Sequence, residues 1–178
     1  HVHQSDQRGV FRSSDGGRSW TKTLYIDDET GIARLARAAD VPDVVFATAM
    51  RHYTAPGYPA EKYRSFQIGV IPRPGPDSVR ATGALFKSLD GGITWKEISG
   101  GGLPRLAGRM SVAVAIGTSA ERVYLITALG LYRSDDGGAT WRQMAADDRR
   151  IGNGGGYTCG VYVDPGNPDV VYTLGTSS

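Results

Sequence analysis

The eight residues SSDGGRSW, Ser13–Trp20, decide the fold of this chain because two similar octets follow them. The second octet is SLDGGITW, Ser88–Trp95, and the third is SDDGGATW, Ser134–Trp141. All three fit the pattern Ser-x-Asp-x-Gly-x-Ser/Thr-Trp, and each follows an aromatic residue and a basic residue. A pattern of this length that recurs along one chain indicates an array of one supersecondary unit.

Each octet has the composition of a tight β-hairpin turn. Aspartate accepts hydrogen bonds from nearby backbone N–H groups, and glycine adopts positive φ at little steric cost. The closing tryptophan combines a large apolar surface with one N–H donor, so we expect it to pin the turn onto its sheet. One carboxylate per turn leaves most of a cation's shell unfilled, so we expect no metal there. We predict a structural role for Ser13, Asp15, Gly17, Trp20, Ser88, Asp90, Gly92, Trp95, Ser134, Asp136, Gly138 and Trp141.

A second repeated element lies between the octets. The run Pro42–Thr48 (PDVVFAT) matches Pro168–Thr173 (PDVVYT), and Glu121–Leu125 is a looser copy. Each is a turn followed by a β-branched and aromatic strand, with another apolar run upstream. The upstream run Ile32–Ala39 also has helical propensity, but its alignment with the other copies favours a strand. One unit therefore has four antiparallel strands with the octet between the third and fourth, which is one propeller blade.

The spacing of the repeats divides the chain into blades. Seventeen positions separate Tyr124 from Trp141, but forty-nine separate Phe46 from Trp95, so one unit carries an insertion at about 50–82. We predict the end of a blade at 1–25, a blade with this insertion at 26–98, a complete blade at 99–144 and the start of a truncated blade at 145–178. The predicted fold class is all-β, a partial β-propeller of four-stranded antiparallel blades. Closed propellers need about four to eight blades, so we expect a fragment whose partners include the rest of its own propeller.

The composition narrows the classes of function. The formal net charge is +2 and no basic stripe is visible, which argues against a nucleic-acid partner. No apolar run approaches about eighteen residues, so we expect no membrane-spanning segment. Cys159 is the only cysteine, which excludes an intrachain disulfide. The glycine-rich stretch at 152–156 lacks the Lys-Ser/Thr ending of a phosphate loop, and we expect no cofactor.

Two segments have the composition of a binding surface. The insertion interleaves aromatic, basic and proline residues, which suits recognition of a protein or a sugar. Residues 147–160 link the outer strand of one blade to the inner strand of the next and cross a rim. The alternatives are an insertion that packs on its own propeller and a link that is simply solvated. The candidate binding residues are Arg51, His52, Tyr53, Tyr58, Tyr63, Arg64, Arg149 and Tyr157.

Catalytic patterns are sparse in this sequence. A glycosidase needs two carboxylates that flank the scissile bond. The best acidic pairs are Asp27 with Asp28 and Asp147 with Asp148, which we place on corresponding links one blade apart. Adjacent residues on a strand, however, point to opposite faces. No Gly-x-Ser-x-Gly nucleophile elbow is present. We therefore assign no catalytic residue.

The octets resemble the Asp-box, or BNR, repeat of sialidases, several glycoside hydrolases and sortilin-type (VPS10) propellers, where it is a structural turn. The order of the first octet, Leu24–Gly31 and the Pro42–Thr48 run is similar to bacterial VPS10/sortilin-like propellers, often labelled glycosyl hydrolase BNR repeat. This resemblance implies a secreted, periplasmic or surface-exposed protein. It implies a non-catalytic binding or scaffold propeller for a protein or peptide, or alternatively a carbohydrate-active enzyme. It transfers no catalytic residue to this chain.

Overall fold

The chain forms four antiparallel sheets in the computed structural model, which describes residues 5–51, 83–106, 108–148, 151 and 159–175. The strands are β1 (Val10–Arg12), β2 (Thr21–Leu24), β3 (Thr30–Arg37), β4 (Val45–Arg51), β5 (Gly83–Ser88), β6 (Lys96–Ile98), β7 (Ser111–Val114), β8 (Val123–Thr127), β9 (Gly130–Ser134), β10 (Arg142–Met144), β11 (Cys159–Asp164) and β12 (Asn167–Gly175). The sheets are β1-β2, β3-β4-β5-β6, β7-β8-β9-β10 and β11-β12. No helix occurs among the described residues.

These sheets confirm the predicted fold class. The two central sheets are four-stranded meanders in which each strand pairs antiparallel with the next strand of the chain. The run Ile32–Ala39, which has both helical and strand signals, contributes most of its residues to strand β3. Packing against neighbouring strands therefore overrides helical propensity at this run.

Strand β4 shows why the second strand of a blade is a nearly continuous apolar run in the sequence. Phe46 belongs to the core shared with the β7–β10 sheet, and the Thr48 hydroxyl donates to the Met110 carbonyl at 3.2 Å. Ala47 and Ala49 belong to the core shared with β1 and β2. Since successive side chains alternate between the two faces of a strand, a sheet buried on both faces needs apolar residues at every position.

Strand β8 repeats this arrangement one sheet further along. Val123 and Leu125 face the preceding sheet, in the core that contains Phe46. Tyr124 and Ile126 face the following sheet, in the core that contains Val161. The four sheets therefore stack face to face, and each interior interface has its own apolar core.

The two ends of the stacked sheets carry different features. Thr30 at the start of β3 pairs with Arg51 at the end of β4, and Met50 pairs with Gly83 at the start of β5. The insertion therefore leaves and re-enters the sheet at the same end as the segment that leads into β3. We call this the link end. The second and third octets connect the third and fourth strands of their sheets at the opposite end, which we call the box end, and the first octet connects β1 to β2.

Candidate functional site

The third octet shows how a box is held together. The Ser134 hydroxyl donates to Asp136 Oδ1 at 2.8 Å and accepts the Gly138 N–H at 2.8 Å. Thr140 donates its backbone N–H to Asp136 Oδ1 at 2.8 Å and its hydroxyl to Oδ2 at 2.5 Å. Both carboxylate oxygens are thus engaged inside the turn. The first and second boxes have the same bonds, with Ser13–Asp15 and Ser88–Asp90 contacts of 2.7 Å.

These bonds favour the ionised form of the box aspartates. The Thr140 hydroxyl and backbone N–H lower the pKa of Asp136 to about 2. The Ser19 and Thr94 groups hold the pKa of Asp15 and of Asp90 well below the usual range in the same way. A general acid must be protonated near the working pH, so these carboxylates are unsuited to that role.

The tryptophans of the boxes differ in burial although their local sequences match. Trp141 is 6% exposed and lies in the core shared with the preceding sheet, whereas Trp20 is 62% exposed. The Trp95 indole N–H donates to the Thr23 hydroxyl of the preceding sheet at 3.3 Å. We expected each tryptophan to pin its turn onto its own sheet, and Trp95 and Trp141 also contact the sheet before it.

A hydrogen bond from a basic side chain to the next box joins neighbouring sheets. Arg12 Nε donates to the Gly91 carbonyl at 3.0 Å, and Lys87 Nζ donates to the Gly137 carbonyl at 2.7 Å. Burial lowers the pKa of Lys87, and the nearby Asp136 carboxylate opposes this effect. In the sequence, these two donors are the basic residues that directly precede the first and second octets. The pattern is visible in the sequence, but it does not by itself predict the contact.

Replacing Lys87 by methionine is expected to lower the free energy of unfolding by about 1–3 kcal/mol, because it leaves the Gly137 carbonyl without this donor. The measurement is urea denaturation followed by circular dichroism. Lys96, an exposed lysine of the same sheet, is the matched control, and its methionine variant should stay within about 0.5 kcal/mol of wild type. Equal effects of the two substitutions would contradict the inter-sheet bond.

A group of charged side chains ties the third sheet to the β11-β12 sheet. Arg122 donates to Asp135 Oδ1 and to Asp169 Oδ1, both at 2.7 Å. Arg133 and Arg142 also pair with Asp135, at 2.9 Å and 3.2 Å. Because several of these groups are exposed, their main contribution is to orient the sheets, and each pair adds little to stability. The sequence does not predict this group, since its members are scattered among turns and strands.

One of the predicted binding residues lies in the described part of the chain. Arg51 ends β4, and its Nε donates to Glu29 Oε2 at 2.7 Å, which joins the root of the insertion to the segment leading into β3. On the other side of the root, the Gly83 N–H donates to the Leu106 carbonyl at 3.0 Å. The remaining predicted residues lie outside the described residues: His52, Tyr53, Tyr58, Tyr63, Arg64, Arg149 and Tyr157.

The two acidic pairs lie far apart along the stack of sheets. Asp27 and Asp28 precede β3, whereas Asp147 and Asp148 follow β10, and the whole β6–β7 link lies between these segments. Their predicted placement one blade apart is wrong, because the distance is two blades. Since stacked sheets lie about 10 Å apart, this spacing exceeds the roughly 5–9.5 Å between the carboxyl groups of a glycosidase.

Asp27 has a local role of its own. Its Oδ1 accepts the Glu29 N–H at 2.9 Å and the Thr30 N–H at 2.7 Å. Partial burial raises the pKa of Asp27, but hydrogen bonds from Thr30 and Glu29 outweigh it, and the pKa is lowered overall. The carboxylate therefore stabilises the turn that begins β3.

Two further features are absent from the described residues. Within the described ranges, no three His, Cys, Asp or Glu side chains are grouped so that they could hold a metal ion. The same part of the chain contains no helix that is long and apolar enough to span a membrane.

Comparison with known proteins agrees with this geometry. The family model for the BNR/Asp-box repeat matches residues 132–143, which hold the third box and the strand residues beside it. Comparison with curated proteins gives no significant match. Among solved structures, a GH74 enzyme from Niastella koreensis has a TM-score of 0.58 and 17% identity, over 96% of this chain and 24% of that one. A GH74 xyloglucanase from Xanthomonas campestris has a TM-score of 0.57 and 18% identity, over 96% of this chain and 25% of that enzyme.

These likenesses establish the fold of the chain as a partial β-propeller that carries BNR/Asp-box repeats. The chain spans about a quarter of the length of each of the two solved enzymes. At this level of identity the likeness is one of fold, and a fold of this kind supports many functions.

Proposed function

We propose that this propeller segment is a non-catalytic binding or scaffold module of the VPS10/sortilin-like type. It holds a protein or peptide partner through the insertion and the rim links, and it works outside the cytoplasm. The observation that carries the proposal is that the strands flanking both predicted binding segments meet them at the link end. The resemblance of the repeats to VPS10/sortilin-like propellers supports the subtype and the extracytoplasmic location.

The position of these flanking strands follows from strand pairing. The insertion is bounded by Arg51 and Gly83, whose strands pair at the link end. The segment that contains Arg149 and Tyr157 leads into β11, whose first described residue is Cys159. The first strands β3, β7 and β11 all start at this end, because each pairs antiparallel with the strand after it. Aromatic and basic side chains at one end of a rigid array suit protein recognition.

The acidic side chains give the second line of support. The described carboxyl groups whose pKa is shifted are hydrogen-bonded or ion-paired within the fold. The box aspartates and Asp27 accept hydrogen bonds within turns. Asp135 is partly desolvated, but ion pairs with Arg122 and Arg133 lower its pKa overall. An acid catalyst of a glycosidase has a raised pKa, and every shifted carboxyl group among the described residues moves in the opposite direction.

The test replaces the insertion and leaves the propeller intact. In the next sheet, β8 and β9 are joined by a two-residue turn, Ala128-Leu129. Replacing residues 52–82 by such a turn should preserve the fold and remove most of the predicted binding surface. Peptides selected from a displayed library on the wild-type chain should bind the wild type and lose at least about tenfold in affinity for the shortened variant, since loss of even one major contact residue costs this much.

A chain with Tyr53, Tyr58 and Tyr63 changed to serine provides the finer comparison, because it keeps the length of the insertion. It should bind the selected peptides as weakly as the shortened variant does. Hydrolysis of xyloglucan, the polysaccharide after which the Xanthomonas campestris enzyme is named, is assayed in parallel. Peptide binding that survives both changes would overturn the proposal, and so would release of reducing sugar by the wild-type chain.

A further inference from the structure

A charged pair lies at the point where the insertion leaves the β3–β6 sheet. Arg51 is the last residue of β4, and strand pairing places it opposite Thr30, the first residue of β3. Its Nε donates to Glu29 Oε2 at 2.7 Å, and its Nη2 donates to the same oxygen. The guanidinium group that precedes the insertion is therefore bonded across the sheet to the segment that leads into β3.

The backbone around the acceptor of this pair is held by three hydrogen bonds. Asp27 Oδ1 accepts the Glu29 N–H at 2.9 Å. The carbonyl of the neighbouring residue, Asp28, accepts the Ser5 N–H at 2.9 Å and Arg8 Nε at 2.8 Å. Because this link is tied both within itself and to the segment before β1, the Glu29 carboxylate presents a defined acceptor to Arg51.

The pair combines favourable charges with partial exposure to solvent. The Arg51 side chain is 48% exposed, and that of Glu29 is 28% exposed. The Glu29 carboxylate raises the pKa of Arg51, and the charges of Asp27 and Asp28 add to this effect. An ion pair with this exposure contributes little to global stability. Its larger effect is local, because it selects one direction for the end of β4.

The next sheet, which has no insertion, connects its second and third strands without a charged residue. Its turn is Ala128-Leu129. The Leu129 N–H donates to the Thr127 hydroxyl at 3.1 Å, and Gln143 Nε2 donates to the Leu129 carbonyl at 3.0 Å. Neutral groups of the sheet itself thus hold this turn. The charged pair is therefore a feature of the blade with the insertion and not of the repeat.

We propose that Arg51 and Glu29 form a clamp at the root of the insertion, which fixes the direction in which the chain leaves β4 and so positions the peptide-binding surface. We call this pair the root clamp. Arg51 is then a positioning residue, which acts through Glu29 and not by contact with the partner. This inference rests on the proposed peptide-binding function and names two residues that control it.

The size of the effect follows from the strength of the pair. A partner binds the molecules in which the chain leaves β4 in the competent direction, so the apparent affinity falls with the fraction of such molecules. Loss of a partly exposed ion pair should reduce this fraction by about two- to fivefold. The expected signature of the root clamp is thus a modest loss of affinity in a chain that unfolds as wild type does.

The first experiment measures binding of the library-selected peptides to charge variants by isothermal titration calorimetry. Glu29→Gln removes the charge and keeps the side-chain length, and it should weaken binding by about two- to fivefold. The exchange of both charges, Arg51→Glu with Glu29→Arg, should bind more tightly than either of its two single substitutions, because it restores an opposite pair. Glu97→Gln is the matched control, since Glu97 is an exposed glutamate on the edge strand β6 of the same sheet, and it should bind as wild type does.

The second experiment determines whether Glu29 acts through the insertion. Glu29→Gln is introduced into the shortened chain in which a two-residue turn replaces residues 52–82, and peptide binding is measured at correspondingly higher peptide concentrations. The substitution should have no further effect there, because the clamp has no insertion to position. Urea denaturation of Glu29→Gln in the full chain should give the midpoint of wild type, which separates positioning from a general loss of stability.

The outcomes separate failure of the root clamp from failure of the proposed function. If shortening the insertion weakens binding but Glu29→Gln does not, the clamp is overturned and the proposed function stands. The same holds if Glu29→Gln weakens binding equally in the full and shortened chains, since Glu29 would then contact the peptide itself. A double charge exchange that binds no better than its single substitutions also overturns the clamp. If shortening the insertion leaves binding unchanged, both proposals fail.

Discussion

Replacing Trp141 by alanine is expected to lower the free energy of unfolding by about 3–5 kcal/mol, the range for large aromatic side chains deleted from a core. The indole is 6% exposed, lies in the core between the two central sheets and donates from Nε1 to the Gly138 carbonyl at 3.0 Å. Its removal leaves a cavity in that core as well as an unpaired carbonyl. Urea denaturation followed by far-ultraviolet circular dichroism measures the loss.

The control substitution is Trp20→Ala, in the same position of the first box. Trp20 makes the equivalent bond to Gly17 at 3.1 Å but is 62% exposed, and its loss should change the free energy of unfolding by about 0.5 kcal/mol or less. The difference between the two variants therefore isolates packing against the preceding sheet. Equal losses in the two variants would show that the tryptophan stabilises only its own turn and that packing on the preceding sheet adds nothing. Trp141→Phe extends the comparison if the alanine variant does not fold.

The repeats made the fold predictable because a β-propeller is built from one unit that recurs. The octets located three hairpin turns, and the alignment of Ile32–Ala39 with other apolar runs gave a strand despite helical propensity. Strand order followed, since each unit contributes strands that pair in sequence. What the repeats did not indicate was burial: Trp141 packs on a preceding sheet, whereas Trp20 has no such sheet among the described residues.

The candidate site was harder to predict for a physical reason. A contact such as that of Lys87 with the Gly137 carbonyl joins residues fifty positions apart, and the acceptor is a backbone atom that every residue has. The basic residue before each octet was visible in the sequence, but its target depends on how adjacent sheets stack. The acidic pairs were misplaced for a related reason. The segment between β6 and β7 is also a link between two blades, so the links that hold the two pairs are two blades apart.

Replacing Phe46 by alanine is the second substitution with a large expected effect, again about 3–5 kcal/mol in the free energy of unfolding. The ring is fully buried between the two central sheets, and Lys87 Nζ lies 5.4 Å from its centre. A side chain at Gly138 would also come close to this ring, so the next box is packed directly over it. The measurement is again urea denaturation by circular dichroism.

Tyr172→Ala is the control for Phe46→Ala, because strand pairing gives both aromatics the same place in the repeat. Tyr172 is 56% exposed, so its loss should change the free energy of unfolding by about 0.5 kcal/mol or less. The same position in the repeat would then stabilise the fold only where a following sheet packs over it. If Tyr172→Ala destabilises the chain as much as Phe46→Ala does, intrinsic strand propensity governs this position, and packing between sheets does not.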